Sequence, residues 1–273
     1  MIGQQQLLSK LRELNDNGKF PRFLILIGRP GSEQSDVANE LTNILGNATI
    51  ESYGSRVDDI REMISDAYKH VGGRYVYVIE CADAMSVAAK NAMLKVTEEP
   101  PNNANFIFFV ENEGNLLDTI KSRAIILQMD SYTGKQLLDY AKSNYGDGRL
   151  EYAKICDTPG DVDLLHSYGV DEVVSYVNKV VHNIHLVSGS NSFKIGSRID
   201  LGNDDGIDLG LFWRCFMENC HEIMDDNPSQ YVDGIIVTCK YYKELGINGI
   251  NKQMLFDNWL LDIRSRWLRY AED

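Results

Sequence analysis

Residues 28–35 read Gly28-Arg-Pro-Gly-Ser-Glu-Gln-Ser35, directly after the apolar run Phe23 to Ile27 and before a helix-forming stretch. A strand, a Gly/Pro turn and a helix in that order are the setting of a phosphate-binding loop, GxxxxGK[ST]. In such a loop the glycines admit phosphate to the backbone amides, the lysine partners the transferred phosphoryl group, and the hydroxyl serves magnesium. Gly28 and Ser35 stand at the first and last positions, and Gly31 is a further turn glycine. Glu33 takes the place of the second glycine and Gln34 that of the lysine. A carboxylate repels a triphosphate, and a neutral amide does not replace an ammonium. A second chemical position is Glu80-Cys81, at the end of the run Val76 to Ile79. A pair of carboxylates there would hold magnesium and orient an attacking water. Glu80 keeps the first, but Cys81 cannot polarise water as the second would. The nucleotide-binding set Gly28, Gly31, Gln34, Ser35 and Glu80 is therefore degenerate, and nucleotide binding is expected to be weak or lost.

The elements that must position these groups alternate between strand-like and helix-like up to residue 130. Leu7 to Leu14 is amphipathic, and Phe23 to Ile27 is a continuous apolar run, the pattern of a strand covered on both faces. Val37, Ala38, Leu41, Ile44 and Leu45 follow at helical spacing. Ala48 to Glu51 reads as a second strand, Ile60 to Tyr68 as a helix stopped by Gly72-Gly73, and Tyr75 to Glu80 as a third strand. Ser86 to Glu98 is a helix ended by Pro100-Pro101, Phe106 to Glu111 a fourth strand and Ala124 to Gln128 a fifth. Strands separated by helices of this length imply an α/β core, a parallel sheet sandwiched by helices. After Ser131 the pattern turns helical: Leu137 to Tyr145, Leu150 to Ile155, Asp161 to Tyr168 and Asp171 to Leu186. The segment Ser188 to Asp208 is rich in Ser, Gly, Asn and Asp and reads as a linker. A last helical block, Leu209 to Tyr270, carries Trp213, Phe216, Trp259 and Trp267.

Bulk properties exclude several classes. The 273 residues carry a net charge of −13. Residues 1–130 hold 13 basic and 18 acidic side chains, the remainder 14 and 22. Neither part has the basic excess of a protein that binds nucleic acid strongly by itself. The apolar runs are strand-sized, so no membrane contact is expected. The five cysteines are scattered without a CxxC pair, which points to free thiols, and His182 with His185 lacks a third ligand; no metal is expected. The chain reads as cytoplasmic.

The residues Glu80-Cys-Ala-Asp-Ala-Met85, then Ala89-Lys-Asn-Ala-Met-Leu-Lys-Val-Thr-Glu-Glu-Pro-Pro101, resemble the central block of bacterial clamp-loader subunits, gamma/tau and delta-prime. Phe106 to Phe109 followed by Leu116-Leu-Asp-Thr-Ile-Lys-Ser-Arg-Ala124 resembles the next strand and the Ser-Arg-Cys motif of that family, with Ala124 in place of cysteine. Ile2-Gly-Gln4 and Phe20-Pro21 fit the family's start, and Cys156-Asp-Thr-Pro-Gly160 resembles the Gly-Ser-Pro-Gly turn of its lid. The departures are a missing four-cysteine zinc module, Asp161 where active members place an arginine, and Val110-Glu-Asn112 without a threonine pair. They favour the delta-prime role and imply a divergent bacterial or phage-encoded member.

The resemblance implies an AAA+ P-loop-type core over residues 1–130, a small helical lid over 131–187, the linker 188–208, and a C-terminal all-helical collar domain over 209–273. It implies a subunit of a DNA polymerase III-type holoenzyme that has no cofactor of its own, with ATP and magnesium bound by partner subunits. Expected partners are gamma/tau-like and delta-like subunits, the sliding clamp, and primed DNA within the complex only. Arg123 would act as an arginine finger in trans, completing a neighbour's ATP site. Lys90, Asn91 and Lys95 fit the solvated face of a helix, and in related assemblies that helix points at DNA. Arg264, Arg266 and Arg269 around Trp267 fit either a nucleic-acid patch or the offset of a helix dipole. Two other readings stay open: an active AAA+ ATPase whose loop amides still hold ATP, and an AAA+-derived adaptor for another replication or recombination protein.

Overall fold

The structure is a computed structural model that describes residues 2–46, 48–70, 72–186, 195–202, 206–247 and 249–271. Two compact units divide the chain, Met1–Tyr132 and Thr133–Asp273.

The first unit is built on five strands: β1 (Phe23–Ile27), β2 (Thr49–Tyr53), β3 (Tyr75–Ile79), β4 (Ala104–Val110) and β5 (Ile125–Gln128). All pairings are parallel, in the order β2-β3-β4-β1-β5. The helices are α1 (Gln5–Asp16), α2 (Gln34–Ile44), α3 (Val57–Lys69), α4 (Val87–Glu98) and the single turn α5 (Asp118–Lys121). The period of two along each strand sorts its side chains. Phe23, Ile25, Tyr77, Ile79, Phe106 and Phe108 enter one core with Ile60, Met63, Ala89 and Met93 of α3 and α4. Leu24, Leu26, Val76, Val78, Ile107 and Phe109 enter the other, with Leu7, Leu11, Val37 and Leu41 of α1 and α2. Both sheet faces are covered, which is why the central strands are apolar throughout.

Local signals set the helix ends. Ser86 caps α4, its Oγ accepting from Ala89 N–H at 3.2 Å. The α3 helix begins three residues before the apolar pattern does, because Asp59 accepts from the Arg56 N–H at 3.2 Å and closes the first turn.

The second unit holds α6 (Gly134–Tyr145), α7 (Glu151–Ile155), α8 (Pro159–Tyr168), α9 (Val170–Asn183), the short pair β6 (Ile199–Asp200) and β7 (Ile207–Asp208), then α10 (Leu209–Glu222), α11 (Pro228–Leu245) and α12 (Lys252–Ala271). Much of the expected linker, residues 188–194 and 203–205, lies outside the described residues. Thr133 and Thr158 form capping boxes with Gln136 and Asp161, and Pro159 and Pro228 open their helices where no amide donor is needed. An aromatic cluster fills the core of α10 to α12. Trp259 meets Phe216 edge-on with centroids 5.1 Å apart, and its Nε1 donates to Thr238 Oγ1 at 2.9 Å.

Gly234 shows how close that packing is: a Cβ there would lie 2.8 Å from Cζ2 of the buried Trp267. On an exposed helix Gly→Ala stabilises by up to about 1 kcal/mol. Here the overpacking cost of about 1–3 kcal/mol wins. Gly234→Ala is expected to destabilise the second unit by about 1–2 kcal/mol in urea unfolding followed by tryptophan fluorescence, and a stabilised variant would show that Trp267 has room to move.

Candidate functional site: the crevice at the strand ends

In open parallel sheets ligands settle outside the carboxyl ends of the strands, where the strand order reverses. Here that point is β1, from which the chain crosses to the edge strand β2 and returns through β3 and β4. The loop 28–35 leaves β1 there. The Gly28 N–H donates to Val110 O at 2.9 Å, so the loop starts in register with β4. Gly28 is needed for space, since a Cβ would meet Met129 Sδ at 2.5 Å. Gly31 is needed for its φ of +79°. Gln34 opens α2 and is half-buried, while Ser35 is exposed.

Glu33 is the decisive residue of the loop. It has a left-handed backbone, φ 53°, and its side chain makes no cap bond to α2. Its carboxylate accepts from the Ile2 N–H at 2.9 and 3.0 Å and from the Tyr132 hydroxyl at 3.2 Å. Gln4 completes the clasp. Its buried amide donates to Asp130 O at 2.9 Å and to Tyr132 Oη at 3.0 Å, and accepts from Asp130 N–H at 2.8 Å. Burial raises the Tyr132 pKa. The Gln4 bond opposes this and Glu33 reinforces it, so the hydroxyl remains a donor.

At the end of β3, Glu80 is exposed and Cys81 has a left-handed backbone, φ 51°. Partial burial, then the charges of Asp83, Glu80 and Glu111, push the Cys81 thiol up, so it keeps its proton and is no base. Asp83 accepts from the N–H groups of Glu111 and Asn112 at 3.3 and 3.2 Å, tying the ends of β3 and β4 together. Burial and Asp83 raise the Glu111 pKa, and Arg29 of the loop lowers it. Sequence reasoning missed Asp83, Glu111 and Arg29 as members of this crevice; the signal for Asp83 was its place three residues after Glu80.

The other sequence-predicted residues lie apart from this cluster. Arg123 follows α5 and is exposed; its Nη1 donates to Thr119 O at 2.8 Å and its Nη2 lies 3.5 Å from Glu98 Oε1. On α4, Asn91 and Lys95 are exposed. Lys90 corrects the expectation of three residues on one wet face: it is 9% exposed, because the face of α4 that carries it also carries Ala89 and Met93 into the core. In the second unit Asp161 accepts from the N–H groups of Asp157 and Thr158 at 2.9 and 3.0 Å and pairs with Arg214 at 2.5 Å. Arg214 also donates to Ile155 O at 2.9 Å and Tyr242 Oη at 2.7 Å. Burial opposes the Arg214 charge, and Asp161 and Tyr242 outweigh it, raising its pKa. Trp267 is buried, so the arginines around it form no stacking platform for bases.

A parallel sheet of this order, with a strand–loop–helix at its switch point and a mostly helical second unit, is the fold of AAA+ P-loop-type proteins. Residues 49–133 match the family model described as DNA polymerase III, delta subunit. The delta-prime subunit of DNA polymerase III from Pseudomonas aeruginosa is 39% identical over 72 residues, 26% of this chain and 22% of that protein. Replication factor C subunit 4 from Schizosaccharomyces pombe is 24% identical over 218 residues, 72% of this chain and 61% of that protein. A DNA polymerase III gamma subunit-related protein from Thermotoga maritima superposes with a TM-score of 0.49 at 18% identity, over 95% of this chain and 99% of that one. The chain thus spans 22% and 61% of the length of the two curated relatives. Over residues 49–133 the chain is similar to the delta-prime and gamma/tau subunits of DNA polymerase III. Among the described residues no helix is long and apolar enough to cross a membrane.

Hydrogen bonds to a charged group contribute about 1.5–3 kcal/mol each, so removing the acceptor of this clasp should release the N-terminal segment. Glu33→Ala is expected to speed amide exchange of residues 2–8 by about tenfold or more, with β1 and β4 still protected, in hydrogen-exchange mass spectrometry. Unchanged exchange in residues 2–8 would mean that the segment is held by other contacts.

Proposed function

We propose that this chain is a subunit of a DNA polymerase clamp loader that hydrolyses no ATP itself and lends Arg123 to the ATP site of a neighbouring subunit. The observation that carries this reading is the family match over residues 49–133, which encloses Ser122-Arg123-Ala124 and the whole acidic strand end. Three features of the crevice support the loss of hydrolysis. The loop has no lysine, its carboxylate at Glu33 is engaged with the Ile2 amide and Tyr132, and Cys81 stands protonated where a second carboxylate would orient water.

Residues 131–187 are the lid and residues 209–273 the part that joins the chain to its neighbours, gamma/tau-like and delta-like subunits that hold ATP and magnesium. The sliding clamp and primed DNA are met only inside that assembly. A net charge of −13 supports this restriction, with Asn91 and Lys95 as the residues of α4 that face outward for DNA.

Arg123 supplies the one catalytic contribution. A guanidinium offers permanently charged planar donors to the oxygens of a transferred phosphoryl group. Arginine fingers contribute about 10³–10⁵ in rate, an effect diluted where other sites in the complex remain intact. Arg123→Ala is expected to leave the subunit folded and assembled and to lower ATP turnover and clamp loading by the whole complex. Lysine should rescue poorly, because a point charge does not reproduce the fork. The measurement is the ATPase of the reconstituted complex with primed DNA and clamp, compared for wild type, Arg123→Ala and Arg123→Lys. Equal rates, with assembly verified, would make the chain pure scaffold. Turnover by the isolated wild-type chain would instead establish an ATPase with an unusual loop.

A further inference from the structure

Helix α12 carries Met254, Leu261 and Leu268 seven residues apart, 65%, 60% and 36% exposed. At 100° per residue this stripe lies opposite the side that buries Leu255, Phe256, Trp259, Ile263 and Trp267, so it is turned away from the core. Asn258 and Ser265, both exposed, fall between its members, giving the run 254, 258, 261, 265, 268. Alternating steps of four and three residues make the seam of a two-helix coiled coil. Met and Leu take the d positions and small polar residues the a positions.

The flanking charges select the occupant. Asp257 and Arg264 line one side of the stripe, at g positions, and Asp262 and Arg269 the other, at e positions. In a parallel pair of identical helices, g of one copy faces e of the other five residues on. That sets Asp257 against Asp262 and Arg264 against Arg269, like charges at every contact. In an antiparallel pair with its two-fold axis between Asn258 and Leu261, g faces g, and Asp257 of each copy meets Arg264 of the other. Met254 then shares a layer with Ser265 of the other copy and Leu261 with Asn258, and the two Leu261 side chains meet diagonally beside the two-fold axis. On the e side Asp262 is neutralised within its own chain by Arg266, 3.0 Å away. Asp257 is held on its flank by Gln253, which donates to it at 3.0 Å. The Arg264 Nε is buried with no acceptor among the described residues.

We propose that α12 is a self-complementary docking surface through which free copies of this chain pair antiparallel, with two exchanged Asp257–Arg264 ion pairs. The contact is isologous, the same patch on both copies. Three apolar side chains per copy bury less than the ~1,000 Å² of a stable interface, so the pairing is reversible and depends on concentration. It concerns the chain outside any assembly and does not rest on the clamp-loader reading.

The test is sedimentation velocity of the full chain from about 1 to about 200 µM, a range that spans weak association. Wild type should pass from monomer to dimer. Leu261→Glu sets two carboxylates beside the axis and should stay monomeric throughout, with a little-changed melting curve because Leu261 is 60% exposed. Asp257→Arg, facing Arg264, should weaken the dimer at least about tenfold. Adding Arg264→Glu to that variant should restore it, with circular dichroism confirming the fold. A wild type that is monomeric at every concentration overturns the proposal. So does a dimer indifferent to Leu261→Glu, or a charge swap that brings no recovery. Should wild type stay monomeric while Leu261→Glu blocks entry into a mixed assembly, the stripe belongs to a foreign helix and the self-pairing is wrong.

Discussion

Parallel pairing of β1 with β4 decides where every group in the crevice stands. The register runs from Phe23 opposite Phe106 to Ile27 opposite Val110, and the next amide, Gly28, continues it onto Val110 O. The loop 28–35 is thereby delivered beside Glu111 and Asn112, which Asp83 ties to the end of β3. Phe23 and Phe106 stack with centroids 4.9 Å apart at the other end of the same strand pair and help to hold its register. A slip of one residue would send Phe23 and Ile25 to the opposite sheet face and leave both cores mismatched. The alignment of the site is thus enforced by the hydrophobic pattern of strands that never touch a ligand.

On that frame the side chains around the loop are engaged with one another. Glu33 and Cys81 are both non-glycine residues in the left-handed region, at the loop after β1 and the turn after β3. Such conformations cost about 1–3 kcal/mol each and persist where their surroundings hold them. For Glu33 the hold is visible: the carboxylate reaches the Ile2 amide and Tyr132, and Gln4 braces Asp130 and Tyr132 from the other side. A charge that would repel phosphate therefore serves to join the N-terminal segment, the loop and the exit from β5. In the second unit Asp161 likewise holds its surroundings, capping α8 and receiving Arg214.

How much of this could be read in advance depended on range. The buried strands β1, β3 and β4 write themselves as apolar runs, and the less buried β2 and β5 were placed by their spacing between helices. The start of α4 at Ser86 and the substitutions at Glu33, Gln34 and Cys81 were legible as well. Pairings between distant residues leave no local mark. Nothing near Asp161 announces Arg214, 53 positions on, and nothing near Glu33 announces Tyr132. Lys90 misled for another reason. Its neighbours Asn91 and Lys95 do face outward, but the phase of α4 against the sheet turns position 90 inward with Met93, and a lysine stem tolerates that burial. The stripe on α12 was hidden by the aromatic residues on its other face, which make the whole block read as core.

The strength of pairing also sorts the arginines by what they can do. Arg214 is bound by Asp161, Tyr242 and a backbone carbonyl with only 12% of its side chain exposed. Removing one partner of such a buried pair costs about 3–5 kcal/mol, so Arg214 is fixed in place and its contacts weld α7, α8, α10 and α11. Arg123 faces Glu98 across 3.5 Å with 38% and 61% of the two side chains exposed. An exposed pair of that kind contributes at most about 1 kcal/mol. It orients the guanidinium through the Thr119 carbonyl without competing seriously against a phosphate, whose charge is larger and whose oxygens take two parallel N–H bonds. Arg123 is held loosely, as the role proposed for it in a neighbour's site requires.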